Sequence, residues 1–512
     1  MVVTHSIYIV IKAMMDVEQD SGSDRTVSME SRVLAAIDEG DEFSARSMLV
    51  GWAQSLDVDW AGPGDTRGTL LRRASRFGLR AVVGILLRLG ANANLRDCEG
   101  LPPLMLACTH QDANACEVVD VLLRSGADPS IKTTSGEDAL AWAVSAKRPE
   151  VSLVISEFAE RFSLTAEMFE RASELTKCLD VRETLLERGL GIELALGPSA
   201  PQIYLKREDL QRSGSFKYRG AAHALLTLAE QARRDESNSI TIVSASTGNH
   251  GRALCEAALL LRGRYPNWQI HLKLFVPVNV EASKMARLNY YQEQGAVELV
   301  RQGKDAEETE TAARNNATLI PGAKFISPYN DLDIILGQGT CGVELAKQMP
   351  NLDAVFVSVG GGGLISGIAA YLKRRAFQAG AKVPKIIGAQ PANSAVMVAS
   401  VAKKCIANEV VSLPTLSDGT AGGIEEGAVT LDYNMRYVDE YECVSETEIA
   451  QSMKMLIDCQ GTCVEGAAGV ALAAFIKQYR AGRWTAQSKV AVVLCGRNIG
   501  FTKFLKAMLL DK

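Results

Sequence analysis

Two hydrophobic rhythms divide this chain. Between residues 64 and 146 the sequence repeats itself: "GTLLRRASRFG", "GLPPLMLACTH" and "GEDALAWAVSA" begin at Gly68, Gly100 and Gly136. The first two lead into leucine-rich runs, "LLRLGANAN" (Leu86–Asn94) and "LLRSGADPS" (Leu122–Ser130). A period near 33 residues predicts pairs of short helices closed by a Gly-Ala-Asn/Asp turn. Each pair has an apolar face it cannot bury alone, so the pairs must stack. From about residue 200 the rhythm changes. The apolar runs "SITIVSAS", "IHLKLFVP", "AVFVSVG", "KIIGAQP" and "VAVVLCG" alternate with helical stretches such as "GRALCEAALLLRGR". Short β-branched runs separated by amphipathic helices predict an α/β region with mostly parallel sheets. Between the two, "SLTAEMFERASELTKCLDVRETLLERG" reads as helical and then extended, and groups with the second region.

The repeats resemble ankyrin units over roughly residues 30–155, including a degenerate first unit around "VLAAIDEGDEFSARSMLVG". The usual "TPLHxA" appears only as "PPLMLA" at Pro102–Ala107. Ankyrin stacks chiefly bind other proteins, so the resemblance implies a protein partner. The alternative is that three or four units cap the neighbouring domain.

Composition narrows the function classes. A chain of 512 residues has room for about three domains, and 47% apolar with 22% charged residues is ordinary for globular cores. The net charge of −5 lacks the basic excess of a nucleic-acid binder. No apolar run approaches the roughly 20 residues that cross a bilayer. "IYIVIKAMM" near the N-terminus is too short to span and lacks a cleavage site after it. Residues 1–30 are expected to be a disordered extension, with organelle targeting as the alternative. The eleven cysteines are scattered; Cys459 and Cys463 lie one helical turn apart, with no second pair or histidine to complete a metal set. Reduced thiols and a cytoplasmic location are expected.

The strand-to-helix junctions hold the candidate chemistry. In "SASTGNHG" (Ser244–Gly251) a strand ends in small hydroxyl residues and glycines before a helix, a ready site for a carboxylate. In "SVGGGGLISG" (Ser358–Gly367) four glycines let backbone N–H groups converge on a phosphate. Either could be only a tight turn. A dinucleotide cradle fits poorly, because Gly360–Gly363 misses the G-x-G-x-x-G spacing and Gln390 stands where a ribose-binding acid belongs. A single phosphate fits better. A third strand end, "VVLCGRN", carries Cys495, ordinarily a buried thiol but here a candidate contact to a heteroaromatic cofactor. Lys217, in "SGSFKYRGA", opens an apolar helix where a lysine is ordinarily a solvated charge.

Together "YLKREDLQRSGSFKYRGA", "STGNHG", "GQGT" (Gly337–Thr340), "VGGGGLISGIA", "TLSDGTAGG" (Thr415–Gly423) and "VLCGRN" resemble the pyridoxal-phosphate enzymes of the serine/threonine dehydratase and serine racemase family, over roughly residues 165–510 and in family order. The resemblance implies fold type II: two open twisted α/β domains with pyridoxal 5'-phosphate in the cleft, preceded here by an all-α ankyrin stack. It divides the chain into 1–30 (extension), 31–160 (ankyrin repeats) and 165–512 (enzyme, smaller subdomain about 240–332). It makes Lys217 the residue bound covalently to the cofactor and the base for the α-proton, and places Phe216 near the ring. Asn249 would bond the cofactor hydroxyl, Gly360, Gly361, Gly362 and Gly363 would cradle the phosphate, and Cys495 would face the pyridine nitrogen. Ser246, Thr247 and His250 would hold the substrate carboxylate. A homodimer is implied too.

The expected activity is an ammonia-lyase acting on L-threonine, L-serine or a related 3-hydroxy amino acid, giving a 2-oxo acid and ammonia. A serine racemase-like enzyme is one alternative and a catalytically weak cofactor-binding ankyrin scaffold a second. Against racemisation, Thr247 stands where racemases of this family place a serine as the base of the opposite face. Gln390 and Val396 replace two acidic ligands of the family's cation site, so no metal is expected there. The family's Thr-Pro appears as Thr184-Leu185, and no regulatory tail is expected after Asn498.

Overall fold

The computed structural model describes residues 28–510 apart from 54, 61–68, 98, 111–113, 162 and 281. The chain falls into two compact units, Met1–Ser163 and Leu164–Lys512. Most of the expected N-terminal extension, residues 1–27, lies outside the described residues, whereas Met29 and Glu30 already belong to a helix, Met29–Asp38. Ser28 sets that start: its Oγ accepts the Ser31 N–H at 3.2 Å, satisfying one of the helix's orphan donors.

Among its described residues the first unit is a run of four helix pairs. They are Met29–Asp38 with Glu42–Gly51, Leu70–Arg76 with Arg80–Arg88, Pro103–Cys108 with Ala115–Arg124, and Ala139–Ser145 with Pro149–Arg161. Val33, Leu49, Leu71, Val83, Leu104 and Val119 are fully buried where the pairs stack. The turns that the repeat predicted are held across the period. Asn94 Nδ2 donates to the Gly126 carbonyl at 2.9 Å, and its Oδ1 accepts the Asp128 N–H at 2.8 Å. One side chain in the first of these turns therefore fixes the backbone of the next.

Among its described residues the second unit is built on ten strands: β1 (Leu186–Arg188), β2 (Gln202–Lys206), β3 (Ser239–Ala245), β4 (Gln269–Val276), β5 (Glu298–Arg301), β6 (Ala323–Phe325), β7 (Ala354–Ser358), β8 (Lys385–Pro391), β9 (Glu440–Val444) and β10 (Lys489–Val493). They form a six-stranded sheet, β1-β2-β10-β7-β8-β9, and a four-stranded one, β5-β4-β3-β6. Only β1, against β2, is antiparallel. Every position of β7 is buried, as a central parallel strand covered on both faces requires. Helices Gly363–Ala379 and Gly466–Arg480 pack on the large sheet, and Asn249–Arg264 and Ala306–Leu319 on the small one. Parallel strands end on the same side, so the exits of β3, β7 and β10 can gather around one cleft.

The "GQGT" motif has a packing role. Helix Leu332–Gln348 lies against both Lys217–Arg234 and Gly363–Ala379. A Cβ on Gly337 would come within 2.5 Å of the Arg219 carbonyl, and one on Gly367 within 2.7 Å of the Gly339 Cα. Three backbones meet here at distances that side chains would forbid.

Behind the first turn of helix Lys217–Arg234 lies a buried ion cluster. Arg219 grips Glu208 through two bonds of 2.7 Å and Glu344 through bonds of 2.6 and 2.9 Å. Lys206 donates to Glu344 at 2.5 Å and to the Thr184 carbonyl at 2.8 Å. Burial alone would raise the Glu208 carboxyl, but Arg219 outweighs it and holds it below the usual range. The Thr184-Leu185 departure fits this setting, since Thr184 donates to Glu208 at 2.5 Å while Leu185 is exposed. Substituting Arg219→Met strands two carboxylates in a dry interior and is expected to cost about 3–5 kcal/mol in urea denaturation. A loss below about 1 kcal/mol would show that the cluster is not what holds this helix.

Candidate active site

The segment Ser213–Phe216 reaches Lys217 by docking on the chain that leaves β10. Ser215 bridges Gly496, the Phe216 N–H donates to the Cys495 carbonyl at 3.0 Å, and the Arg497 N–H donates to the Gly214 carbonyl at 2.9 Å. Gly214 turns the chain at a φ of +78°, with Asn498 Oδ1 only 2.7 Å from where a Cβ would stand. Lys217 then opens its helix, its Nζ donating to the Pro328 carbonyl at 2.6 Å and lying 5.1 Å from the Phe216 ring centre. Part of the Lys217 surface is open, but its amine end is enclosed. Desolvation therefore lowers its pKa to about 8, against an upward pull from Cys495 and Glu465.

The tetraglycine loop joins β7 to helix Gly363–Ala379. A Cβ on Gly361 would sit 2.3 Å from the Tyr329 ring, and Gly362 holds a φ of +87°. The loop thus has bare backbone and leads into a helix N-terminus, the combination that suits a phosphate. Tyr329 directly follows Pro328, so the amine and the loop share one neighbour. Gln390, at the end of β8, ties down the loop. Its Nε2 donates to the Val359 carbonyl at 3.0 Å and its Oε1 accepts the Val398 N–H at 2.9 Å. It staples the residue just before the tetraglycine to the next helix. Among the described residues no cluster of three or more His, Cys, Asp or Glu side chains could hold a metal ion.

The loop after β3 carries Ser246 and Thr247 into helix Asn249–Arg264. Ser246 Oγ accepts the Gly248 N–H at 3.2 Å. His250 lies in the helix's first turn, is buried, and neither ring nitrogen has a partner. Burial and then the charge of Lys217 lower its pKa to about 3, so it is neutral and brings no positive charge to a carboxylate. The Ser246 N–H is taken by the Phe275 carbonyl and the Gly248 N–H by Ser246 Oγ, which leaves the Thr247 N–H and the helix N-terminus as the anion-attracting groups of this junction. Cys495 is buried, accepts from Ser358 Oγ at 3.5 Å, and burial raises its thiol pKa far enough to keep it neutral.

Two groups escaped sequence reasoning. Glu465, the N-cap of helix Gly466–Arg480, is buried with both oxygens facing Asn249 Nδ2, at 2.9 and 3.1 Å. Burial raises its pKa to about 7, against hydrogen bonds that lower it. An acid opening the alanine-rich run "EGAAGVALAAF" was the available signal. Gln338 was missed as well: it is fully buried, its amide has no partner, and its Oε1 lies 2.6 Å from where a Cβ on Gly363 would stand.

Comparison with known proteins gives the family. The family described as pyridoxal-phosphate dependent enzymes matches residues 179–496, and ankyrin repeats match residues 65–193. The chain belongs to the pyridoxal-phosphate dependent enzyme family. An L-threonine ammonia-lyase of Thermotoga maritima is 34% identical over 298 residues, 58% of this chain and 67% of that protein. The processed form of threonine deaminase isoform 2 from Solanum lycopersicum superposes with a TM-score of 0.55 at 29% identity, covering 67% of this chain and 87% of that one. Serine racemase from Dictyostelium discoideum gives 0.56 at 26%, covering 66% and 99%.

The residues fit the family's cofactor. Bare glycine backbone can take its phosphate, Lys217 is the amine of lowered pKa, and polar atoms without a close partner lie on Ser215 just before Lys217, on Gln338 against Gly363 and on His250 within electrostatic reach of Lys217. Gly361→Ala would drive a methyl into Tyr329. Retention of pyridoxal phosphate after dialysis, read by absorbance, is expected to fall at least about 10-fold with the circular dichroism spectrum unchanged; full retention would move the phosphate site elsewhere.

Proposed function

We propose that this protein is an ammonia-lyase that converts L-threonine, L-serine or a related 3-hydroxy amino acid to a 2-oxo acid and ammonia. One observation carries the reading: the enclosed Lys217 amine has a lowered pKa and bonds the Pro328 carbonyl, next to the Tyr329 that packs on the tetraglycine loop, with His250 and the neutral Cys495 thiol within its electrostatic reach. The ammonia-lyase and threonine deaminase relatives support it.

When bound, pyridoxal phosphate supplies the electron sink that makes the substrate α-proton removable. The chain supplies the rest. The Thr247 N–H and the first N–H groups of helix Asn249–Arg264 hold the substrate carboxylate, the Ser246 and Gly248 N–H groups being engaged by the Phe275 carbonyl and Ser246 Oγ, and this fixes the Cα–H direction. Lys217, whose dry site favours the uncharged amine, takes that proton. The β-hydroxyl must depart as water, so the proton taken up at Lys217 Nζ is balanced by one delivered to the leaving oxygen, and the released enamine tautomerises to an imine that water cleaves to the 2-oxo acid and ammonia. Cys495, lacking a negative charge, cannot keep a ring nitrogen protonated, and this favours elimination over long-lived carbanion chemistry.

The same reading takes residues 31–160 as an ankyrin arm for a protein partner and 165–512 as the enzyme, with its smaller subdomain at about 240–332. It includes a homodimer and a cytoplasmic location, the latter in keeping with ten unpaired cysteines among the described residues. A racemase-like activity is the second reading, favoured by the likeness to serine racemase and opposed by the extra methyl of Thr247.

Purified protein loaded with pyridoxal phosphate is expected to release 2-oxobutanoate from L-threonine, and Lys217→Ala to lose about 10²–10⁴-fold of that rate. A loaded protein giving no 2-oxo acid from either hydroxy amino acid would end the lyase reading. Uptake of the cofactor requires the uncharged Lys217 amine, so its rate should rise with pH and level off above about 8; a rate independent of pH would contradict the assigned amine. Chiral analysis after incubation with L-serine should find little D-serine, and more of it with Thr247→Ser. Equal racemisation by the two would remove Thr247 as the determinant.

A further inference from the structure

We propose that Glu465 is a positioning residue: at the end of a one-way hydrogen-bond chain it fixes Asn249 as an N–H donor toward the ring oxygen of the bound cofactor. The inference rests on reading Asn249 as the residue that meets that oxygen. The chain starts at Arg252, whose Nη1 donates to Asn498 Oδ1 at 2.5 Å. A guanidinium can only donate, so the orientation of the Asn498 amide is set. Asn498 Nδ2 donates to the Ser213 carbonyl at 3.0 Å and to Asn249 Oδ1 at 2.7 Å. That in turn sets Asn249, whose Nδ2 points at both Glu465 oxygens, at 2.9 and 3.1 Å. The Asn498 backbone N–H adds a bond to Glu465 Oε2 at 3.1 Å.

Turning either amide over would set N–H against N–H, or oxygen against oxygen, at no fewer than two places. Arg252, a pure donor, and the Glu465 carboxylate, a pure acceptor, thus define the sense of the whole chain. Asn249 keeps one N–H proton for a further acceptor, and a cofactor ring oxygen is received by a donor rather than by a second oxygen. The chain also ties together the elements that make the site: helix Asn249–Arg264, the segment after β10, the segment before Lys217, and the N-cap of helix Gly466–Arg480.

Several groups act on Glu465 from these and neighbouring elements. Burial and Asp418, on the loop after Thr415, oppose its ionisation; Asn249, the Asn498 N–H and Lys503, on helix Phe501–Leu509, favour it. Lys217 and Cys495 also lie within its electrostatic reach. With its pKa raised to about 7, the acceptor end of the chain changes charge near neutrality.

The test uses the full-length protein loaded with pyridoxal phosphate and needs no substrate. The absorption band of the bound cofactor is followed against pH, and cofactor release is timed during dialysis. Wild type is expected to show a near-neutral step in the band. Glu465→Gln, of equal size and without charge, should lose the step and release cofactor about 10–100-fold faster, the scale of a hydrogen bond to a charged group. Glu465→Asp should keep the step. Arg252→Met approaches the chain from its other end and serves if Glu465→Gln fails to fold; it should speed release while leaving the step in place. An unchanged step and release rate in Glu465→Gln, or unchanged release in Arg252→Met, would overturn the proposal, as would a wild type that takes up no cofactor. Wild type that loads, shows the step and yet forms no 2-oxo acid would instead overturn the lyase reading and leave Glu465 its role.

Discussion

The enclosure of one amine is the condition on which the enzyme half of this protein depends. Lys217 is placed where water cannot fully support its charge, with Phe216 on one side and the Pro328 carbonyl as its hydrogen-bond acceptor. Such a position is unfavourable in isolation. It is sustained by the docking of Ser213–Phe216 on the exit of β10 and by the ion cluster around Arg219, two residues further along the same helix. The rigid element lies directly behind the reactive one, an arrangement that gives a flexible lysine a defined place.

Around that amine the backbone supplies most of the binding capacity. At the two strand-to-helix junctions, after β3 and after β7, glycines let neighbours come close: the Ser246 carbonyl at Gly251 and the Tyr329 ring at Gly361. Side chains then adjust charge. His250 and Cys495 are held neutral by burial, and Glu465 sits near its point of ionisation. A site of neutral groups around one dry amine suits chemistry in which a proton must leave carbon and a hydroxyl must depart without a stabilised ring cation. The ankyrin unit contributes a separate logic, a stack whose turns are tied by Asn94 across the repeat.

Much of this was legible in the chain. Strands such as "AVFVSVG" and "KIIGAQP" announced themselves because buried parallel strands are continuous apolar runs, and β7 and β8 are buried almost throughout. Short edge and pairing strands, β5, β6 and β9, were not read, since "ELVR", "AKF" and "EYECV" carry mixed polarity at partly covered positions. The "GQGT" motif was visible as a pattern, but its reason, three backbones in contact at Gly337, Gly339 and Gly367, is a property of packing.

The sequence by itself determined where the chain turns from repeat to sheet, where glycine frees the backbone, and which lysine heads a helix beside an aromatic ring, because these are local matters of periodicity and side-chain size. Only the tertiary structure decided that Glu465 faces Asn249 from 216 positions away, that Gln390 ties Val359 to Val398, and that His250 is neutral. Burial and hydrogen-bond sense depend on what packs against a residue from distant parts of the chain, and no local pattern carries that information.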